Sequence, residues 1–171
     1  MIPDNLRYHK EHEWVRVEGK QAVIGISDHA QEALGDIVFF QLPQIGAKVK
    51  AGQEIGEVES TKATSSIYTP ISGTVSKVNV ALNEKPELAN KDPYGEGWVA
   101  IIEMAVPAEI NGLMDAKAYA AYLDKEAKYR TKMNVLSRPS AKGIEIIGHH
   151  EINIPLLHAA VAAACGVAEK P

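Results

Sequence analysis

The stretch EIGEVESTKATSSIYTPISG, Glu54–Gly73, places two strand-like runs on either side of a small polar tip that carries a single lysine, Lys62. Ile55 and Val58 before the tip, and Ile67 and Tyr68 after it, supply the β-branched and aromatic side chains that suit a pleated, half-buried surface. Glu59, Ser60, Thr61, Ala63, Thr64 and Ser65 make up the polar apex. The stretch therefore reads as a hairpin whose lysine projects into water. Such a tip shows one amine at the end of a rigid shape, which suits an enzyme that must modify that amine and ignore the others. An exposed lysine in a turn is more often only a solubilising charge, so the flanks have to decide.

Working outward, the chain is punctuated into many short strands. WVRVEGKQAVIGI, Trp14–Ile26, reads as a hairpin turning at Gly19 and Lys20. Ser27 or Asp28 caps a short helix through Leu34, and Gly35 stops it. DIVFFQLPQIG is a strand ended by Pro43 and Gly46, and VKAGQ turns the chain into the Lys62 hairpin. Beyond the tip, Ser72 and Gly73 form a turn, TVSKVNVAL continues as a strand, and Trp98–Glu103 supplies the last one. Pro43, Pro70, Pro86 and Pro93 all fall between strands, where a missing N–H costs no ladder bond. From Asp115 the pattern becomes helical, with Tyr119, Tyr122 and Leu123 on one stripe. The expected fold is mainly β, a sandwich or flattened barrel of hairpins with a short internal helix and C-terminal helices. Val15, Ile24, Val38, Ile55, Val75 and Trp98 are its expected core, and Trp14 is a second aromatic anchor.

With 171 residues, 46% of them hydrophobic and 23% charged, the chain is long enough to bury a core. Its formal charge of −4 is mildly acidic and its basic residues are scattered, which argues against nucleic acid as a partner. No membrane segment is expected either. Cys165 is the only cysteine, so no intrachain disulfide or CxxC pair exists, and any dithiol chemistry has to be imported. The N-terminal MIPDNLRYHKEHEW lacks an apolar targeting region, which points to a cytoplasmic protein. No GxSxG, HExxH or phosphate-binding glycine loop occurs, so no catalytic residues are assigned. His9, His12 and His29 stand at no metal-binding spacing, and no metal is expected.

ESTKA, followed by IYTPISGTVSKVN and NEKPELANKDPYGEGW and preceded by YHKEHEWV and IGISDHAQEALGDIVFFQLP, resembles the glycine cleavage system H proteins. LMDAKAYAAYL resembles the closing helix of that family, so the likeness covers the first three quarters of the chain. The resemblance implies a lipoyl-domain-like fold and a non-catalytic carrier, with lipoate amide-linked to Lys62 and Glu59, Ser60, Thr61 and Ala63 as the surrounding motif. It implies transfer of the aminomethyl group of glycine from a pyridoxal-phosphate glycine decarboxylase (P protein) to a tetrahydrofolate-dependent aminomethyltransferase (T protein). A dihydrolipoyl dehydrogenase (L protein) then reoxidises the dithiol, and lipoylating enzymes load the lysine. Thr61 replaces the family's usual valine with a side chain of similar shape, and Ser66 stands where many relatives have aspartate. In the family the acidic N-terminal segment lies near the lysine hairpin, which marks Glu11 and Glu13 as candidate contacts of the loaded arm. An H-like protein serving sulfur oxidation or lipoyl relay would keep the same lysine. A biotin carrier would flank it with methionines instead of Thr61 and Ala63.

The resemblance ends near Ala127, which divides the chain into a carrier domain, 1–127, and a C-terminal extension, 128–171. Within the extension KYRTKMNVLSRPSAKG reads as a basic linker, GIEII as a short strand, and the run from Pro155 as an apolar helix. That helix is shorter than the roughly 20 residues a bilayer demands. His149, His150, Glu151, His158 and Cys165 are ligand types in no recognised spacing.

Overall fold

The computed structural model describes residues 1–140 and 143–146, with side chains through residue 131. In chain order the elements are β1 (Arg7–Tyr8), β2 (Glu13–Glu18), β3 (Gln21–Ile26), α1 (Asp28–Leu34), β4 (Ile37–Gln41), β5 (Lys48–Val49), β6 (Glu54–Ser60) and β7 (Thr64–Tyr68). They continue with β8 (Gly73–Val78), α2 (Ala81–Glu84), α3 (Leu88–Lys91), β9 (Ala100–Met104), a 3-10 turn (Pro107–Gly112), α4 (Ala116–Leu136), β10 (Ser137–Ser140) and β11 (Gly143–Ile146). Residues Met1–Asp124 form one compact unit, and a second begins at Lys125.

In the first unit the pleat decides the layering. Successive β-strand side chains face opposite ways, so QAVIGI in β3 sends Ala22, Ile24 and Ile26 to one side and Val23 to the other. The first side meets the three-stranded sheet β4-β6-β7, and the shared core includes Val15, Val75 and Ile102 from one sheet and Phe40, Val58 and Ile67 from the other. Every strand pair in the six-stranded sheet β1-β2-β3-β9-β8-β5 is antiparallel, as are those in the three-stranded sheet. The two sheets form a flattened sandwich and not a closed barrel.

The other side of β3 carries a second cluster of Leu6, Tyr8, Trp14, Val23 and Tyr119. Helix α4 begins where expected: Asp115 Oδ1 accepts the Ala118 N–H at 2.8 Å, and Tyr119 stacks on Tyr8 with ring centroids 4.4 Å apart. Gly25 makes room for the Trp14 indole, since a Cβ there would lie 2.7 Å from its ring. Burial raises the Tyr8 and Tyr94 hydroxyls above the ordinary tyrosine range, so both remain neutral.

Four expectations need correction. Val38 is 52% exposed because the β4–β6 register slips between Ile37 and Phe39, which turns Val38 away from the core. Gly73 does not turn the chain; it opens β8 opposite Val49 and Met104, where a side chain would strike the Glu103 carbonyl. The strand after it ends at Val78, because the Asn79 side chain donates to the Glu96 and Trp98 carbonyls and Ala81–Glu84 is helical. The stretch from Lys128, read as a linker, is helical through Leu136 and then a strand. Ile55 and Trp98 are half-buried at the edges of the two clusters.

In the second unit β10 and β11 pair as an antiparallel hairpin, Ser137 opposite Ile146, so the expected strand at GIEII is present. The expected apolar helix from Pro155, along with His149, His150, Glu151, His158 and Cys165, lies outside the described residues.

Candidate functional site

Strand β6 ends at Ser60 and β7 begins at Thr64, so Thr61, Lys62 and Ala63 are the hairpin tip. A single hydroxyl organises it. Ser60 Oγ accepts the N–H groups of Lys62 at 3.3 Å and Ala63 at 3.0 Å, and it donates to the Ala63 carbonyl at 3.1 Å. The Ser60 N–H closes the turn on the same carbonyl at 2.8 Å. This local side-chain bonding is what lets a short serine-led turn hold one shape. Glu59 pairs across the hairpin with Thr64 and, on its other side, with Phe39, so the motif residues stand together at the tip.

Lys62 is exposed, and its ammonium has no ion-pair partner among the described residues. Its stem is nonetheless supported. A Cβ built on Gly35 would sit 3.3 Å from Lys62 Cε and 3.7 Å from Nζ, so the lysine methylenes lie over the bare backbone at the end of α1. The Thr61 N–H donates to the Asp36 carbonyl at 3.0 Å, tying the tip to the segment after that glycine. Gly35 has φ 77° and ψ −147°, a conformation essentially confined to glycine. Read from sequence, Gly35 is only a helix stop. Nothing in the pattern of residues signals that it also underlies the lysine.

Glu13 and Glu11 occupy different situations. Glu13 is 2% exposed, with Oε1 accepting the Tyr68 N–H at 2.8 Å and Oε2 lying 2.9 Å from His9 Nδ1. Tyr68 is the last residue of β7, about 13 Å along the strand from Thr64. The carboxylate therefore buttresses the base of the hairpin and not its tip. Glu11 is exposed in the turn before β2. His12 and His29 are brought close, with ring centroids 4.7 Å apart, a proximity their sequence spacing does not reveal. Ser66 is half-buried opposite Glu57.

What the tip can do follows from these parts. An acyl donor meets a primary amine with no ion pair to break, on a stem held from one side by Gly35 and on a backbone fixed by Ser60. Among the described residues no base or second nucleophile lies at hydrogen-bond distance from the amine, and the arrangement suits a point of attachment.

Comparisons with known proteins give the following likenesses. A family described as Glycine cleavage H-protein matches residues 6–126. The glycine cleavage system H protein of Myxococcus xanthus is 50% identical over 122 residues, covering 71% of this chain and 95% of that protein. The H protein of Stenotrophomonas maltophilia K279a is 52% identical over 126 residues, covering 73% and 96%. The crystal structure of a glycine cleavage system H protein from Mycobacterium marinum superposes with a TM-score of 0.65 at 37% identity, covering 74% of this chain and 99% of that one.

Proposed function

The chain belongs to the glycine cleavage H-protein family, and from that premise we propose that Lys62 is the residue that holds lipoate in amide linkage. The family makes the chain the lipoyl-carrying subunit of glycine cleavage. The observation that supports the residue is the Ser60-organised apex, which offers the Lys62 amine to an incoming enzyme while Gly35 steadies its stem.

Lys62 would hold lipoate through its Nζ, and the bound group would supply a disulfide able to take up the aminomethyl group that glycine yields on losing its carboxylate as carbon dioxide. The protein's own part is mechanical. It tethers the arm to a fixed point, which converts encounters among separate active sites into visits by a single arm at high effective concentration. Because the tip is held by backbone bonds to Asp36 and by Ser60, the arm swings from a stiff root and not from a loose loop.

The chain works with the other components of glycine cleavage. Our proposal names them as the glycine decarboxylase, the tetrahydrofolate-dependent aminomethyltransferase and the dihydrolipoyl dehydrogenase, with lipoylating enzymes acting beforehand. It takes the protein itself to be non-catalytic and cytoplasmic. The lone cysteine suits a reducing compartment. No helix among the described residues is long and apolar enough to cross a membrane.

The test is isotope exchange between bicarbonate and the glycine carboxyl with a purified glycine decarboxylase. Lipoylated protein is expected to support exchange and unmodified protein to leave it at background. Lipoate present on Lys62 without exchange would move the carrier to another pathway, such as sulfur oxidation or lipoyl relay.

The proposal also assigns the carrier to residues 1–127 and treats 128–171 as an extension. A chain ending at Ala127 is expected to accept lipoate at the full-length rate, measured by intact mass over time. Loss of lipoylation in a folded truncated chain would make the extension part of the carrier.

A further inference from the structure

A three-residue segment beneath the lysine tip is gripped at its two ends by one side chain from a different part of the sequence. Asn90, in α3, donates from Nδ2 to the Gly35 carbonyl at 2.8 Å and to Gln31 Oε1 at 2.9 Å, while its Oδ1 accepts the Ile37 N–H at 3.0 Å. The amide orientation is fixed by these partners, since a flipped group would set its NH2 against an N–H and its oxygen against two acceptors. Between the two gripped residues lies Asp36, whose carbonyl accepts the Thr61 N–H, one residue before Lys62. Ile37 is also in register with Ser60, the residue that builds the tip.

We propose that Asn90 is a positioning residue for acylation of Lys62: it clamps Gly35–Ile37 so that the Asp36 carbonyl and the bare Gly35 backbone hold the tip and its lysine stem in one arrangement. The inference rests on the assignment of Lys62 as the attachment site. Gly35 occupies a conformation other residues avoid and has no side chain to lock it, so its neighbours must supply the rigidity. Asn90 does so with both faces of its amide. Without the clamp the segment samples other arrangements, and only a fraction of molecules presents the lysine in the form a lipoylating enzyme accepts. That fraction enters as a weaker apparent affinity for the carrier, with little change in the chemical step.

The experiment uses the full-length unmodified protein with an ATP-dependent lipoate-attaching enzyme, lipoate and ATP, and follows the product by intact mass. Asn90→Ala removes the clamp. Asn90→Asp keeps the size and the acceptor for Ile37 but turns a carboxylate oxygen toward the Gly35 carbonyl. Both are expected to raise KM for the carrier by about tenfold, with kcat within about twofold. Amide exchange at Thr61 is expected to accelerate in the variants, and Gln31→Ala, which spares the bonds to Gly35 and Ile37, is expected to leave KM unchanged. In the unaltered protein the Thr61 and Ile37 amides should open together, a result that needs no variant to fold.

Unchanged KM in folded Asn90 variants would overturn the clamp, as would free exchange of Thr61 while Ile37 is protected. A variant that loses thermal stability while keeping KM would show a merely structural asparagine and overturn the proposal equally. Peptide mapping of the unaltered product separates this failure from that of the premise. Lipoate on another lysine overturns the Lys62 assignment, whereas lipoate on Lys62 with unchanged KM overturns the role of Asn90 alone.

Discussion

Lys62→Arg is expected to abolish lipoyl incorporation and to leave the fold intact. Arginine keeps the positive charge and most of the stem, but its guanidinium does not acylate as a primary amine does. The side chain is exposed and has no ion-pair partner among the described residues, so the substitution breaks nothing that holds the hairpin. The turn is built from the Ser60 hydroxyl and backbone groups, all unchanged. Incorporation should fall to background in the intact mass spectrum while the melting curve overlays the original. Residual lipoate at a comparable rate would assign the attachment to a different lysine.

The largest effect on stability is expected at the opposite side of the six-stranded sheet. Trp14 is fully buried, and its Nε1–H is shared between the Ile26 carbonyl at 3.0 Å and the Pro93 carbonyl at 2.9 Å. Its ring fills the space that Gly25 leaves open, and the Arg16 guanidinium carbon lies 5.7 Å from its centroid. Trp14→Ala empties that space and strips two carbonyls of a donor, so a loss of about 3–5 kcal/mol is expected. In a domain of this size that corresponds to a fall in melting temperature of about 10 °C or more. Urea unfolding followed by circular dichroism reads the difference. A loss below about 1 kcal/mol would mean that neighbouring side chains close over the cavity and that the second cluster matters little to the fold.

Sequence carries the hairpins and their order, because each is marked by local chemistry. The turn at Gly19 and Lys20, the Ser27 cap and the Gly35 stop all stand as expected, Gly19 with φ 63° and Ser27 accepting the Ala30 N–H at 3.2 Å. Asp115 likewise caps α4. What sequence does not carry is register. Val38 sits in the apolar run IVFF, and only the slip against β6 decides that Val38 faces water and Phe40 the core. The end of the strand after Gly73 is equally hidden, because Asn79 reaches partners 17 and 19 residues away.

The site divides in the same way. Lys62 and the Ser60 turn are contiguous in sequence, and their geometry is local. Gly35, Asp36 and Asn90 converge on the lysine from 27, 26 and 28 residues away, by packing that no periodicity announces. Glu13 is legible as a candidate by resemblance, yet its burial and its bond to Tyr68 place it at the root of the hairpin.

The central claim is that one lysine carries one lipoyl group, and the most direct measurement is peptide mass mapping of the protein purified from its own host. The peptide containing Lys62 is expected to carry lipoate, with every other lysine unmodified. Biotin on Lys62, lipoate on a different lysine, or a Lys62 peptide wholly unmodified in cells that are cleaving glycine would contradict the account.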